Sequence, residues 1–164
     1  MKKVAVIMGS DSDLPIVEKC LGVLSEYGIP FEVHVFSAHR TPAECAAFVS
    51  GARDNGFGVL VCAAGMAAHL AGAVAANTLL PVIGIPISCK NTGGVDALWS
   101  TVQMPSGIPV ATVAVNGGVN AALLAAQILA VSDDGLAAKL DAKRVNDAQA
   151  VLAKDAALQA ELNK

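Results

Sequence analysis

The sequence predicts an α/β fold. Five short, mostly β-branched runs alternate with stretches of helical spacing, the mark of strands joined by crossover helices rather than by hairpins. Parallel strands cannot be joined by tight turns and their crossovers are right-handed. The pattern therefore reduces to a five-stranded parallel sheet covered by helices on both faces, a flavodoxin-like three-layer sandwich. The 164 residues suit a single domain, 1–164, with a C-terminal helical extension over about 133–164.

KVAVIM (3–8) opens the sheet, and the helix after it repeats Leu14, Val17, Leu21 and Leu24, holds Pro15 in its first turn and stops at Gly28. FEVHVF (31–36) is the second strand. Thr41-Pro42-Ala43-Glu44 has the form of a capping box with Pro at the first helical position, and it predicts a helix to about Asp54 ended by Gly56. GVLVCA (58–63), PVIGIP (81–86) and PVATVAV (109–115) supply the other strands, with helices predicted over 67–78 and 120–131. Residues 86–109 form a long connection holding a short helical patch, and connections of that length are often functional. From about Asp133 the composition shifts to Ala, Lys, Asp and Leu, with Leu136, Leu140, Ala148, Leu152 and Leu158 as a helical stripe that packs on its own subunit or a neighbour.

A composition of 54% hydrophobic and 15% charged residues, rich in Ala and Gly, favours a tightly packed subunit with interfaces to hide. The net charge of −3, with one Trp and one Tyr, argues against nucleic acid, which needs a basic field and usually aromatic platforms. The apolar run at 4–8 is shorter than a secretory core of ~7 to 15 residues. No stretch approaches the ~20 apolar residues of a membrane helix. Cys20, Cys45, Cys62 and Cys89 are widely spaced without a C-x-x-C, and His34, His39 and His69 show no ligand-like spacing, which reads as reduced thiols in a cytoplasmic protein without a metal. NGGVNAALLAA matches neither the Walker loop nor G-x-G-x-x-G, so nicotinamide, flavin and ATP lack support and no cofactor is expected.

In open α/β sheets ligands bind at the carboxyl ends of the strands, and three such ends carry unusual residues. In MGSDSD (8–13), Gly9 frees the backbone to turn, while Ser10, Ser12 and Asp13 stand at a helix start suited to a phosphate or to ribose hydroxyls, or simply to a well-capped helix. In SAHR (37–40), Ser37 and Arg40 can hold a phosphate and His39 can move a proton near neutral pH; the plainer alternative is a hydrogen-bonded rim histidine beside a surface charge. CAAGMAAHLAG (62–72) is nearly all small residues around His69, and lines a binding slot, packs at an interface, or does both, with His69 read as structural before catalytic.

MGSDSD, SAHRTP, AAHLAG, GVDALWSTVQMPSGIPV and NAALLAAQIL, in this order and spacing, resemble the N5-carboxyaminoimidazole ribonucleotide mutase family of purine biosynthesis, up to about Val131. The resemblance implies a homo-octamer of flavodoxin-like subunits that moves a carboxylate from the exocyclic nitrogen to ring C4 of aminoimidazole ribonucleotide, without metal or organic cofactor. By the same resemblance Ser10, Ser37 and Arg40 bind the phosphate, Ser12 and Asp13 the ribose side, and His39 transfers protons. Ala64 and Gly65, with His69 and Leu70, surround the carboxylate and the base. The chain departs from the family pattern at Met66, where a second glycine is common, at Ala71, where proline is common, and in a shorter turn at 116–119. A related carboxylase branch that takes free CO2 usually has Lys in place of Arg40. Two other classes stand as alternatives: a non-catalytic nucleotide-phosphate binding module, and a serine hydrolase of Ser10, Asp13 and His39, which lacks the G-x-S-x-G elbow.

Overall fold

The computed structural model describes residues 1–163. The elements run β1 (Lys3–Met8), α1 (Leu14–Glu26), β2 (Phe31–Val35), α2 (Pro42–Ser50), β3 (Phe57–Gly65), α3 (Leu70–Ala75), β4 (Val82–Ile87), α4 (Val95–Val102), β5 (Ala111–Thr112), α5 (Gly118–Ala130) and α6 (Asp134–Leu162). The sheet is five-stranded and parallel, in the order β2-β1-β3-β4-β5. Alternate residues of β1 serve opposite faces. Val4, Val6 and Met8 pack under α1, α5 and the first turns of α6, whereas Ala5 and Ile7 pack with Cys45 and Val49 of α2 and Leu70 and Val74 of α3. A strand buried on both sides must be apolar throughout, which is why β1, β3 and β4 read as continuous runs. Gly118 lets α5 close on α1, because a Cβ there would come within 2.4 Å of the Ile16 carbonyl oxygen.

Three elements are shorter than the sequence predicts by more than one residue. β5 keeps two ladder residues rather than seven: Ile83 pairs with Ala111 and Gly84 with Thr112. The cause lies in β4. Gly84 and Pro86 face the same neighbour, since their carbonyls take the N–H groups of Val113 (3.1 Å) and Asn116 (2.8 Å), but Pro86 has no N–H to return and the ladder ends. α2 stops at Ser50, whose hydroxyl donates to the Ala46 carbonyl at 2.8 Å; residues 51–56 continue as tight turns to Gly56 at φ 84. α3 runs Leu70–Ala75 rather than 67–78; before it β3 runs on to Gly65 and Met66 turns the chain at φ 57.

The C-terminal extension is one helix of 29 residues, capped by the Asp133 carboxylate, which accepts the Leu136 N–H at 3.0 Å. Leu136 is buried, Leu140 is partly buried, and Lys139 donates to the Tyr27 carbonyl at 3.2 Å. From Arg144 to Asn163 every residue is exposed, Leu152 and Leu158 of the predicted stripe among them. The first turns therefore pack on their own subunit and the rest stands away from it.

Candidate active site

The strand order reverses between β1 and β3, and there the loops after the two strands part to leave a crevice. A cleft of about 600 Å³ opens at that point, and all ten residues singled out by the sequence line it. After β1 come Ser10, Ser12 and Asp13, and after β2 Ser37, His39 and Arg40. The end of β3 brings Ala64 and Gly65, and the turn into α3 brings His69 and Leu70. A larger cavity of about 920 Å³ lies at the opposite, amino-terminal ends of β4 and β5, lined by Arg53, Leu79 and Ile108 among others. None of the predicted site residues reaches it.

The β1 end is a 3-10 turn, Asp11–Asp13, capped by Ser10, whose hydroxyl accepts the Ser12 N–H at 3.3 Å and the Ser12 hydroxyl at 2.9 Å. Asp13 is buried, and burial pushes its carboxyl above the usual carboxylate range even though bonds from the Ser12 hydroxyl and the Ser10 backbone pull the other way. The backbone freedom expected of Gly9 is not what the turn uses. Gly9 has no left-handed φ and room for a Cβ; its carbonyl instead accepts Arg40 Nη2 at 3.1 Å, which ties the β1 and β2 ends together.

The SAHRT segment is folded by Thr41. The capping box is not formed, because the Thr41 hydroxyl accepts the Ser37 N–H at 2.8 Å and donates to the Ser37 carbonyl at 3.3 Å, with no side-chain bond into α2. The Ser37 hydroxyl in turn accepts the Arg40 backbone N–H at 3.1 Å and Arg40 Nε at 3.4 Å. With one edge of the guanidinium fixed, its remaining N–H groups are presented on an exposed side chain, in the planar fork that suits a phosphate.

His39 and His69 meet in the cleft. His39 Nε2 and His69 Nδ1 are 2.7 Å apart, and the rings cross edge to face at 75°. Such a contact holds one proton, donated by whichever ring carries it. His34 lies elsewhere, stacked on Phe36 with centroids 5.1 Å apart. The small-residue wall of Ala64 and Gly65 is half-buried, but His39, Met66, Ala67 and His69 are exposed, so the cleft of the single chain is open to solvent on that side.

The sequence marks 86–109 as a connection of functional length but names no site residue at the β4 and β5 ends. Ser88 and Cys89 line the cleft, and Asn116, at φ 58 after β5, is bonded to Ser88. The Thr92 hydroxyl, 3.1 Å from Cys89 Sγ, brings that thiol below its usual range, whereas burial pushes Cys20 up to about 12. The rule that strand ends carry chemistry, applied to ISC at 87–89, would have pointed there.

A family model described as AIR carboxylase matches residues 3–150. An N5-carboxyaminoimidazole ribonucleotide mutase of Aquifex aeolicus is 53% identical over 138 residues, covering 84% of this chain and 83% of that one. One of Haemophilus influenzae is 48% identical over 152 residues, covering 92% and 93%. Among solved structures, PurE of Treponema denticola superimposes with a TM-score of 0.84 at 29% identity, over 93% of this chain and 96% of that one. With a match running from β1 into α6, the chain belongs to the AIR carboxylase family.

Proposed function

We propose that the protein converts N5-carboxyaminoimidazole ribonucleotide to 4-carboxy-5-aminoimidazole ribonucleotide, an intramolecular carboxylate transfer in purine biosynthesis. The observation that carries this reading is the His39 imidazole set in one cleft with Ser10, Ser37 and Arg40 on one side and the small-residue wall of Ala64 and Gly65 on the other. Ser10, Ser37 and Arg40 hold the phosphate, Ser12 and Asp13 the ribose side, and His69 and Leu70 face the base and carboxylate. His39 protonates the exocyclic nitrogen, the N–C bond breaks and CO2 leaves; the electron-rich C4 then attacks that CO2. His39 takes the C4 proton, which restores the aromatic ring and its own starting charge. The balance closes: one proton is given and one returned, and no redox step is involved. His69, bonded to His39, fixes the ring orientation of the proton carrier.

The subunit acts as one domain, 1–164, within a homo-octamer in the cytoplasm, on a small-molecule substrate and without a cofactor. Support for assembly comes from the outer half of α6, where Val145, Val151, Leu152, Leu158 and Leu162 are exposed, and from the cleft's open side at Met66 and Ala67. Support for a reducing compartment comes from free Cys20, Cys45, Cys62 and Cys89.

The test is isotopic. Substrate labelled with carbon-13 in its N-carboxylate, turned over in excess unlabelled bicarbonate, gives labelled product if CO2 is recaptured in the cleft. Short reaction times and an enzyme-free control correct for spontaneous decarboxylation. Product that has equilibrated with the bulk pool overturns direct transfer in favour of a carboxylase using free CO2, and absence of product favours a binding module.

A further inference from the structure

Ser88 lines the cleft at the end of β4, and the reading above leaves it without a role. Its position is unusually well determined for an exposed loop residue. Its N–H donates to Asn116 Oδ1 at 2.9 Å, and Asn116 Nδ2 donates to Ser88 Oγ at 2.7 Å. The first bond fixes which end of the amide is oxygen, so the second can run only from nitrogen to hydroxyl. Asn116 is itself held by its own N–H on the Pro86 carbonyl at 2.8 Å and sits at φ 58, a conformation Asn tolerates better than most residues. On the other side Gly94, at φ 95, lets the start of α4 close on Ser88, because a Cβ there would lie 3.0 Å from Ser88 Cα.

This arrangement has a chemical consequence. The Ser88 oxygen accepts from an amide, so its own proton stays free, and among the described residues no acceptor takes it. The proton is available to the cleft. Across the sheet edge, Ser37 and Arg40 follow β2 while Ser88 follows β4, three strand spacings or about 14 Å away. His69, after β3, stands between, and His39 reaches it from the β2 end. With the phosphate held at the β2 and β1 ends as proposed above, Ser88 is the cleft hydroxyl farthest from it along the sheet edge, and for this substrate the end away from the phosphate carries the carboxylate.

We infer that Ser88 donates its hydroxyl proton to the substrate carboxylate and that Asn116 is the positioning residue that aims it. The inference rests on the function proposed above. A hydroxyl bonded to a carboxylate is a charge-assisted contact, and its loss costs about tenfold in affinity.

The experiment measures, by calorimetry, binding of 4-carboxy-5-aminoimidazole ribonucleotide and of aminoimidazole ribonucleotide, which has no carboxylate. Ser88→Ala weakens the first about tenfold and leaves the second within about twofold. Asn116→Gly, which suits φ 58, gives the same carboxylate-selective loss, and the double variant is no worse than Ser88→Ala. Asn116→Asp separates positioning from mere support. It keeps the acceptor for the Ser88 N–H but replaces the donor with an acceptor that draws the hydroxyl proton away from the cleft, so the selective loss persists; rescue by Asp overturns the positioning role. Equal losses for both nucleotides, or none, overturn the contact with the carboxylate. Wild-type protein that binds neither nucleotide overturns the proposed function, and this inference with it.

Discussion

His39 Nε2 faces His69 Nδ1 at 2.7 Å, so one of these nitrogens must be unprotonated and the other carries the shared proton. His39→Asn is expected to keep ribonucleotide affinity within a few-fold and lose at least about 100-fold in turnover, the lower range for a general acid or base. Calorimetry beside steady-state rates checks it, and a variant that keeps most of its activity removes His39 from proton transfer. At this scale the sequence was legible where placement shows as residue type at a strand end: a histidine, an arginine and serines that all line one cleft. It was silent where local geometry depends on the sign of φ or on a partner far along the chain. Nothing local marks Met66 at φ 57 or Asn116 at φ 58, and the bond between Ser88 and Asn116 spans 28 positions.

Among the elements, those set by hydrophobic period were read closely: β1 and α1 begin at the residues expected. The ends were set by single hydrogen bonds that the pattern does not encode. Pro86 ended the β5 ladder by lacking an N–H, and Thr41 left its cap to fold the Ser37 turn. The second of these is testable. Thr41→Val keeps the shape but leaves the Ser37 N–H, partly buried, without its acceptor, which costs about 1–3 kcal/mol. The expected outcome is weaker binding of the ribonucleotide by roughly tenfold, unchanged helix content by circular dichroism, and recovery in Thr41→Ser. Unaltered affinity in Thr41→Val would falsify the view that this hydroxyl shapes the phosphate end of the cleft.

Over the whole molecule, two apolar layers enclose the sheet, and the second half of α6 belongs to neither. Its exposed aliphatic side chains, Val145, Val151, Leu152, Leu158 and Leu162, fall on one half of the helix when laid out at 100° per residue. Light scattering at micromolar concentration is expected to give the mass of eight subunits, and the double variant Leu152→Asp, Leu158→Asp a smaller species with an intact sheet. A wild-type monomer mass refutes assembly, and an unchanged mass in the variant removes α6 from the interface. The α6 stripe is also where the sequence stopped short, since hydrophobic period identifies an apolar face but not the chain that covers it.

The reach of α6 has a consequence for the chain in dilute solution. A helix whose last turns touch no core is held only by bonds within itself, whereas most helical stability in proteins comes from tertiary packing of an apolar face. Assembly through this face, as proposed above, would hold those turns, and its loss on dilution is expected to let them fray and to lower the helical signal. Protein concentration is then expected to be a variable of secondary structure, read by circular dichroism on a dilution series.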